Sequence, residues 1–119
     1  MTKTLTILFR TGSMMAMDTN VAVKLAKAAL DKGYHVHLFG YGEGVTAVKK
    51  GQKPKRFPNV GEELQQVQTE GATTAVCETC FAARGFERGE EIEGARVGSL
   101  TNDLFKFVSE SDRLVTIAR

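Results

Sequence analysis

The chain has few cysteines, no long apolar run and almost no net charge, and each scarcity argues against a class of protein. Two cysteines among 119 residues do not make the disulfide framework of a small secreted domain, so we expect a reducing, cytoplasmic setting. No apolar run approaches the roughly 18 residues of a membrane span, and we expect no secretory signal or membrane attachment. A net charge of +2 is too small to indicate direct nucleic-acid binding.

Short apolar runs alternate with amphipathic stretches, and this alternation indicates the fold class. Runs of strand length occupy residues 5–9, 36–39, 72–76 and 114–118, whereas apolar residues recur with helical spacing within residues 22–30, 60–67 and 104–108. This order predicts an α/β fold, a flavodoxin-like three-layer sandwich with a mostly parallel sheet of four or five strands. We expect one domain spanning residues 1–119, with residues 85–100 mostly loop and a short helical turn at 90–93.

A short basic segment departs from the balanced charge of the remaining chain. Its cations are Lys49, Lys50, Lys53, Lys55 and Arg56. A solvated loop would account for these charges. Alternatively, the segment forms a docking surface for an acidic partner protein, because clustered like charges speed the encounter of two proteins.

Three segments follow predicted strands and carry the candidate functional residues. The site of a parallel sheet lies beyond the carboxyl ends of its strands, which places residues 10–17, 40–45 and 77–84 along one edge. In the first segment, the thioether of Met14 could line a sulfur pocket, or else fill the core or an oligomer contact. Tyr41 lies among the glycines of the second segment, where it could border the site or pack at a subunit interface. These glycines match no dinucleotide or P-loop pattern.

The only two cysteines, Cys77 and Cys80, are three positions apart where an apolar strand meets a helical run. A cysteine at the start of a helix meets unpaired amides, here those of residues 79–81 beginning with Thr79, and the positive end of the helix dipole. Both effects lower the pKa of a thiol, although a nearby Glu78 carboxylate would raise it. The pair therefore indicates sulfur or redox chemistry.

Other interpretations of the cysteine pair remain open. The thiols could be buried as small hydrophobic side chains of a non-catalytic assembly protein. They could form a thioredoxin-like dithiol. In that fold a proline lies opposite the dithiol, and neither proline of this chain stands just before an apolar strand, where that proline would be expected. A zinc site would need about four ligands. We expect His35 and His37 to point to opposite faces of their strand, and therefore expect no metal or other cofactor.

Several short motifs follow one another in an order that is informative as a whole. The segment Phe39–Val45 ends in Glu43-Gly44-Val45. Cys77 is followed by an alanine-rich helix and Arg84-Gly85, and Val97-Gly98-Ser99-Leu100 precedes Asp103-Leu104. In this order and spacing, and over nearly its whole length, the chain resembles the DsrE/TusD family of small sulfur-relay proteins, also described as DsrE/DsrF-like.

This resemblance implies a function for the cysteines. Cys77 falls on the position that carries persulfide sulfur in active members of the family, which accept sulfane sulfur from a donor protein and pass it to an acceptor protein. Cys80 departs from the simplest pattern, which needs one cysteine, and could release the sulfur by forming a disulfide or take the sulfur itself. Arg84 would add positive charge to the sulfur pocket or merely cap its helix. The resemblance also implies a homo-oligomer, a trimer or a hexamer.

Overall fold

The structure is a computed structural model that describes residues 2–13 and 16–118. Its strands are β1 (Thr4–Phe9), β2 (His35–Gly40), β3 (Thr73–Cys77), β4 (Ala95–Gly98) and β5 (Arg113–Ile117). Its helices are α1 (Asp18–Asp31), α2 (Val60–Thr69), α3 (Glu78–Ala83) and α4 (Phe105–Glu110). A 3₁₀ helix (Gly42–Val48) follows β2, and a π-helical turn (Leu100–Leu104) leads into α4. None of the helices within the described ranges has the length and apolar character needed to cross a membrane.

The five strands pair in parallel in the order β4-β3-β2-β1-β5. This arrangement confirms the α/β fold class and the parallel sheet of five strands. The strand order differs from the 2-1-3-4-5 order of flavodoxin. Here the chain steps in one direction from β1 to β4 and only then crosses to the far side of β1. The flavodoxin-like expectation therefore describes the layers but not the order of the strands.

Helices cover both faces of the sheet. On one face α1 and α2 lie side by side, and Asn20 Nδ2 donates to Glu63 Oε1 at 3.0 Å. On the other face, the Phe107 ring of α4 stacks on His37 with the ring centroids 4.3 Å apart. Phe107 also meets Phe39 edge-on at 6.5 Å. The core between these layers contains the fully buried side chains Ile7, Phe9, Val36, Leu38, Leu64 and Val76.

Residues 85–100 contain a strand that the sequence pattern does not reveal. Strand β4 pairs with β3, with Val97 opposite Val76, and forms an edge of the sheet. Only Ala95 and Val97 are apolar among its four residues, which is too short a pattern to signal a strand. The helical turn expected at 90–93 is also wrong, because Glu91 forms an isolated antiparallel bridge with Lys49 instead.

His35 and His37 lie on the same face of β2, which corrects the expectation that they point to opposite faces. Side chains two positions apart in a strand share a face, and both histidines line one cavity beside Thr73, at the amino ends of β2 and β3. The cysteines lie at the opposite end of β3. Among the residues that the structure describes, no three or more His, Cys, Asp or Glu side chains are grouped to hold a metal ion.

The half-buried position of His37 predicts a pH-dependent stability. Burial lowers the pKa of His37 below its usual 6.5, and the charges of His35 and Lys106 act in the same direction. Glu110, whose carboxylate is 3.7 Å from Nε2, offsets this only in part. The folded state therefore binds this proton less tightly than the unfolded state. The resulting stability is present above the ordinary pKa of histidine and is lost as the pH falls through the lowered pKa of the folded state.

We expect the free energy of unfolding to fall from about pH 7.5 to about pH 5, and to fall less in His37→Gln than in the wild type. Urea denaturation at each pH measures this difference. His35→Gln is the matched control, since His35 is exposed on the same strand. It removes a smaller cause of the lowered His37 pKa and leaves burial in place, so it should keep most of the wild-type pH dependence. An equal decrease in the wild type and His37→Gln would show that His37 does not cause the effect.

Candidate functional site

The glycine-rich turn after β2 approaches β1 more closely than side chains would permit. A Cβ added at Gly44 would lie 2.3 Å from the carbonyl oxygen of Phe9, and one at Gly40 would lie 3.0 Å from the Phe9 ring. Gly42 has a φ of +60°, in the left-handed region that favours glycine. These glycines let the 3₁₀ helix pack directly against the carboxyl end of β1.

This close packing places a backbone amide beside the cysteines. The Gly42 amide is close enough to the Cys80 sulfur to lower the pKa of its thiol, and the Cys77 thiol is close enough to raise it. Both cysteines are free thiols. Cys77 ends β3 and is only 5% exposed within the core, whereas Cys80 in α3 is half-buried. The structure therefore brings the two sulfur atoms together, with Cys80 more open to solvent than Cys77.

Arg84 joins α3 to the glycine-rich turn. Its Nε and Nη2 donate to Glu43 Oε1 at 3.0 and 2.6 Å, and its Nη1 donates to the Cys80 carbonyl oxygen at 2.9 Å. The hydrogen bond to Glu43 raises the pKa of Arg84, so its guanidinium stays charged. Arg84 thus binds a carbonyl oxygen of α3, and its positive charge lies near Cys80 and Cys77.

Two contributors to the site were not singled out from the sequence. Glu43 fixes the guanidinium of Arg84, and Gly42 supplies the amide at Cys80. Both residues belong to the glycine-rich motif, but their contacts are with α3, more than thirty residues further along the chain. In the sequence both residues stand between Gly40 and Gly44, in a segment that is unusually rich in glycine. The sequence does not show which helix this turn packs against, and that contact gives the two residues their roles.

The remaining candidate residues take different positions. Tyr41 is half-buried, packs against the core and immediately precedes the 3₁₀ helix. Thr79 is exposed in the first turn of α3. Glu78, next to Cys77 in the chain, forms an ion pair with Arg88 at 2.9 Å, so its carboxylate has a cationic partner. Met14 lies outside the described residues.

The environment of Cys80 has opposing effects on its acidity. Burial raises the pKa of the Cys80 thiol, and the neighbouring Cys77 raises it further. The Gly42 amide and the charge of Arg84 act in the opposite direction, but they do not cancel the effect of burial. Cys80 is therefore mostly protonated near neutral pH and is a weak nucleophile there.

Comparisons with known proteins match nearly the whole chain. A family model described as the DsrE/DsrF-like family matches residues 3–117. The uncharacterized protein MJ0989 of Methanocaldococcus jannaschii is 40% identical over 95 residues, which cover 80% of this chain and 82% of that protein. Protein YchN of Escherichia coli is 27% identical over 101 residues, covering 85% of this chain and 86% of YchN.

Solved structures show the same fold. The crystal structure of YchN from E. coli superposes with a TM-score of 0.88 and 24% identity, covering 98% of this chain and 99% of YchN. The structure of MTH1491 from Methanobacterium thermoautotrophicum gives a TM-score of 0.76 at 11% identity, covering 98% of this chain and 99% of that one. At these identities the superpositions establish the fold alone.

The opposing effects on Cys80 predict how its alkylation depends on pH. We expect the rate of carbamidomethylation at Cys80 to rise with a midpoint above the ordinary pKa of a cysteine. Cys77→Ala should lower this midpoint, because it removes the thiol that raises the pKa of Cys80. Arg84→Gln should raise the midpoint, because it removes a favourable positive charge. Site-resolved mass spectrometry of timed reactions with iodoacetamide measures each rate.

Glu78→Gln is the control for these two variants. The Glu78 carboxylate forms an ion pair with Arg88 and is not among the groups that shift the pKa of Cys80. Loss of the Glu78 charge should therefore leave the alkylation midpoint at Cys80 unchanged from the wild type. Identical midpoints in Cys77→Ala and Arg84→Gln would contradict this account of the site.

Proposed function

The chain belongs to the DsrE/DsrF-like family, whose fold is related to sulfur relay, and on this premise we propose that it carries sulfane sulfur as a persulfide on Cys77. The proposal rests on one observation. Two free thiols, the Gly42 amide and the Arg84 guanidinium lie close together at the carboxyl edge of the sheet. The donor and the acceptor would be other cytoplasmic proteins, since a reducing compartment keeps both thiols free.

The loading step needs only a thiolate and a donor persulfide. The Cys77 thiolate attacks the terminal sulfur of the donor, R–S–SH, and a bond forms between Cys77 Sγ and that sulfur. The S–S bond of the donor breaks, and the donor leaves as the thiolate R–S⁻. An acceptor thiolate then attacks the terminal sulfur of Cys77–S–SH in the same way, which frees the Cys77 thiolate. The positively charged guanidinium of Arg84 lies near both cysteines.

Cys80 gives the persulfide a second possible outcome. Its thiolate can attack Cys77 Sγ, forming a Cys77–Cys80 disulfide and expelling the terminal sulfur as sulfide. The two thiols are then oxidised while the sulfane sulfur is reduced. The raised pKa of Cys80 slows this attack near neutral pH, since the attacking species is the thiolate. The site therefore favours holding the sulfur over releasing it.

A dithiol oxidoreductase is the second candidate, and the nearness of the Cys77 and Cys80 thiols favours it. Such an enzyme needs both thiols in every turnover, because one forms the mixed disulfide and the other resolves it. A persulfide carrier needs Cys77 alone to hold the sulfur. Single substitutions at the two cysteines therefore separate these functions.

Loading with glutathione persulfide as the donor tests the proposal. We expect wild type to gain one sulfur atom on Cys77, Cys80→Ser to retain this gain and to keep the sulfur longer, and Cys77→Ser to lose it. The expected reason is that Cys77 holds the sulfur, whereas Cys80 only competes to release it. Mass spectrometry of the peptide that contains both positions measures the added sulfur.

Cys80→Ser and Cys77→Ser are matched controls, since each leaves one thiol in place. Sulfur found only on Cys80, or equal loss of sulfur in both variants, would contradict carriage on Cys77. Rapid formation of a Cys77–Cys80 disulfide with release of sulfide in the wild type would favour the dithiol function.

We also propose that the chain forms a homo-oligomer, a trimer or a hexamer, through α4 and β5. Apolar side chains are exposed along this part of the surface, with Phe105 at 71% and Leu114 at 47%. Leu114 pairs in register with Thr6, whose hydroxyl donates to the Phe107 carbonyl oxygen, so Leu114 lies beside α4 on the same face. Contiguous exposed apolar surface of this kind is typical of an interface between proteins.

Substitution of Phe105 tests this interface. We expect Phe105→Asp to lower the mass in solution to that of the monomer, because a carboxylate would be buried without a partner in the assembly. Sedimentation velocity measures the mass. Phe57→Asp is the control, since Phe57 is similarly exposed at 64% but lies in the basic segment. A wild-type chain that is already monomeric, or equal masses for all three proteins, would contradict the proposal.

A further inference from the structure

An apolar cavity lies between the basic segment and the residues that follow α3. It has a volume of about 370 Å³, and the residues lining it include Ser13, Thr46, Gln52, Lys53, Pro54 and Phe86. Phe86 and Pro54 supply apolar surface, and Lys53 belongs to the basic segment. We call this surface, together with Lys55 and Arg56, the basic-rimmed cavity.

The cations of the rim are available for a partner. Lys53, Lys55 and Arg56 are exposed, and within the described residues no hydrogen bond or ion pair engages their side chains. Lys49 differs, because its Nζ is 3.8 Å from Glu90 and 6.0 Å from the centre of the Phe86 ring. The rim thus presents free positive charge beside an apolar floor.

The basic-rimmed cavity is structurally connected to the cysteines. The Phe86 ring packs against Phe81 of α3, with the ring centroids 5.1 Å apart. Helix α3 has six residues, so it is roughly 9 Å long, and Cys77 immediately precedes it. On the other wall, Thr46 Oγ1 accepts from the Ser13 amide and donates to the carbonyl oxygen of Glu43, the residue that holds Arg84. A protein bound here would lie next to the thiols.

We propose that the basic-rimmed cavity binds a short acidic segment of the protein that exchanges sulfur with this chain. One apolar side chain of that segment enters the cavity over Phe86, and its carboxylates pair with Lys53, Lys55 and Arg56. Apolar burial supplies affinity, and the charges speed the encounter and fix the orientation. The role given to the partner rests on the proposed function, whereas the surface and the chemistry of its ligand do not.

The surroundings of the cavity favour an acidic peptide over a nucleic acid. Acidic residues lie beside it, since Glu90 Oε1 is 3.8 Å from Nζ of the lining residue Lys49 and Glu91 forms a backbone bridge with the same lysine. These carboxylates would repel a long phosphate backbone, but they leave space for a segment of a few residues on the rim. The net charge of the chain is only +2, which supplies little of the electrostatic attraction on which nucleic-acid binding depends.

A titration followed by NMR tests the proposal with a synthetic peptide of Asp, Glu and Ser residues around one central Leu. We expect its amide shifts to concentrate at Lys49, Gln52, Lys53 and Phe86. The double variant K53E/K55E should bind the peptide about tenfold more weakly, because two attractive charges become repulsive. A peptide with Ser in place of Leu should also bind more weakly, since nothing then fills the cavity.

The double variant K3E/K24E is the matched control, because it makes the same change in net charge at exposed lysines outside the cavity. It should bind the peptide as the wild type does. Shifts that are absent or spread over the surface, or equal weakening in both double variants, would overturn the proposal. Tighter binding of single-stranded oligothymidine than of the peptide would also overturn it, in favour of a nucleic-acid site.

Two further measurements separate this proposal from the proposed function. Cys77→Ser should bind the peptide normally, because Cys77 is not part of the cavity. K53E/K55E should load sulfur from glutathione persulfide normally, because a small donor needs no docking surface. Failure of sulfur loading with normal peptide binding would overturn only the persulfide function. Normal loading without localised peptide binding would overturn only the docking surface.

Discussion

The site depends on one close contact, the approach of the glycine-rich turn to the carboxyl end of β1. No side chain fits between Gly44 and the Phe9 carbonyl, so the turn lies directly on the strand. In this position the Gly42 amide lies near the Cys80 sulfur, and Glu43 accepts a hydrogen bond from Arg84. A bulkier turn would lift the 3₁₀ helix from the sheet and separate these groups from the thiols. Backbone packing at β1 therefore determines the chemistry available at α3.

Burial and local charge compete at the two cysteines. The core shields Cys77 from solvent, and burial raises the pKa of the neighbouring Cys80. The Gly42 amide and Arg84 supply positive potential, and Glu43 balances much of the arginine charge. In the function we propose, a second thiol that stays protonated slows the release of sulfur from Cys77.

Strong local patterns in the sequence predicted most of the elements. The apolar runs before Arg10 and Tyr41 and the periodic residues of α1 and α2 gave correct strands and helices, because each buries a whole face against the core. Strand β4 has too few apolar residues for such a signal, since the edge of the sheet requires little burial. The incorrect expectation that His35 and His37 point to opposite faces had a different cause. Side chains two positions apart in a strand share a face, so the sequence was sufficient to predict their arrangement.

The sequence by itself determined the alternation of strands and helices, the family, and the presence of two cysteines where a strand meets a helix. These features depend on residues close together in the chain, or on motifs whose order can be compared directly. Only the tertiary structure decided the strand order, the burial of Cys77 and the contacts that Glu43 and Gly42 make with α3. Those depend on which distant segments pack together, because burial and charge at a thiol are set by neighbours in space.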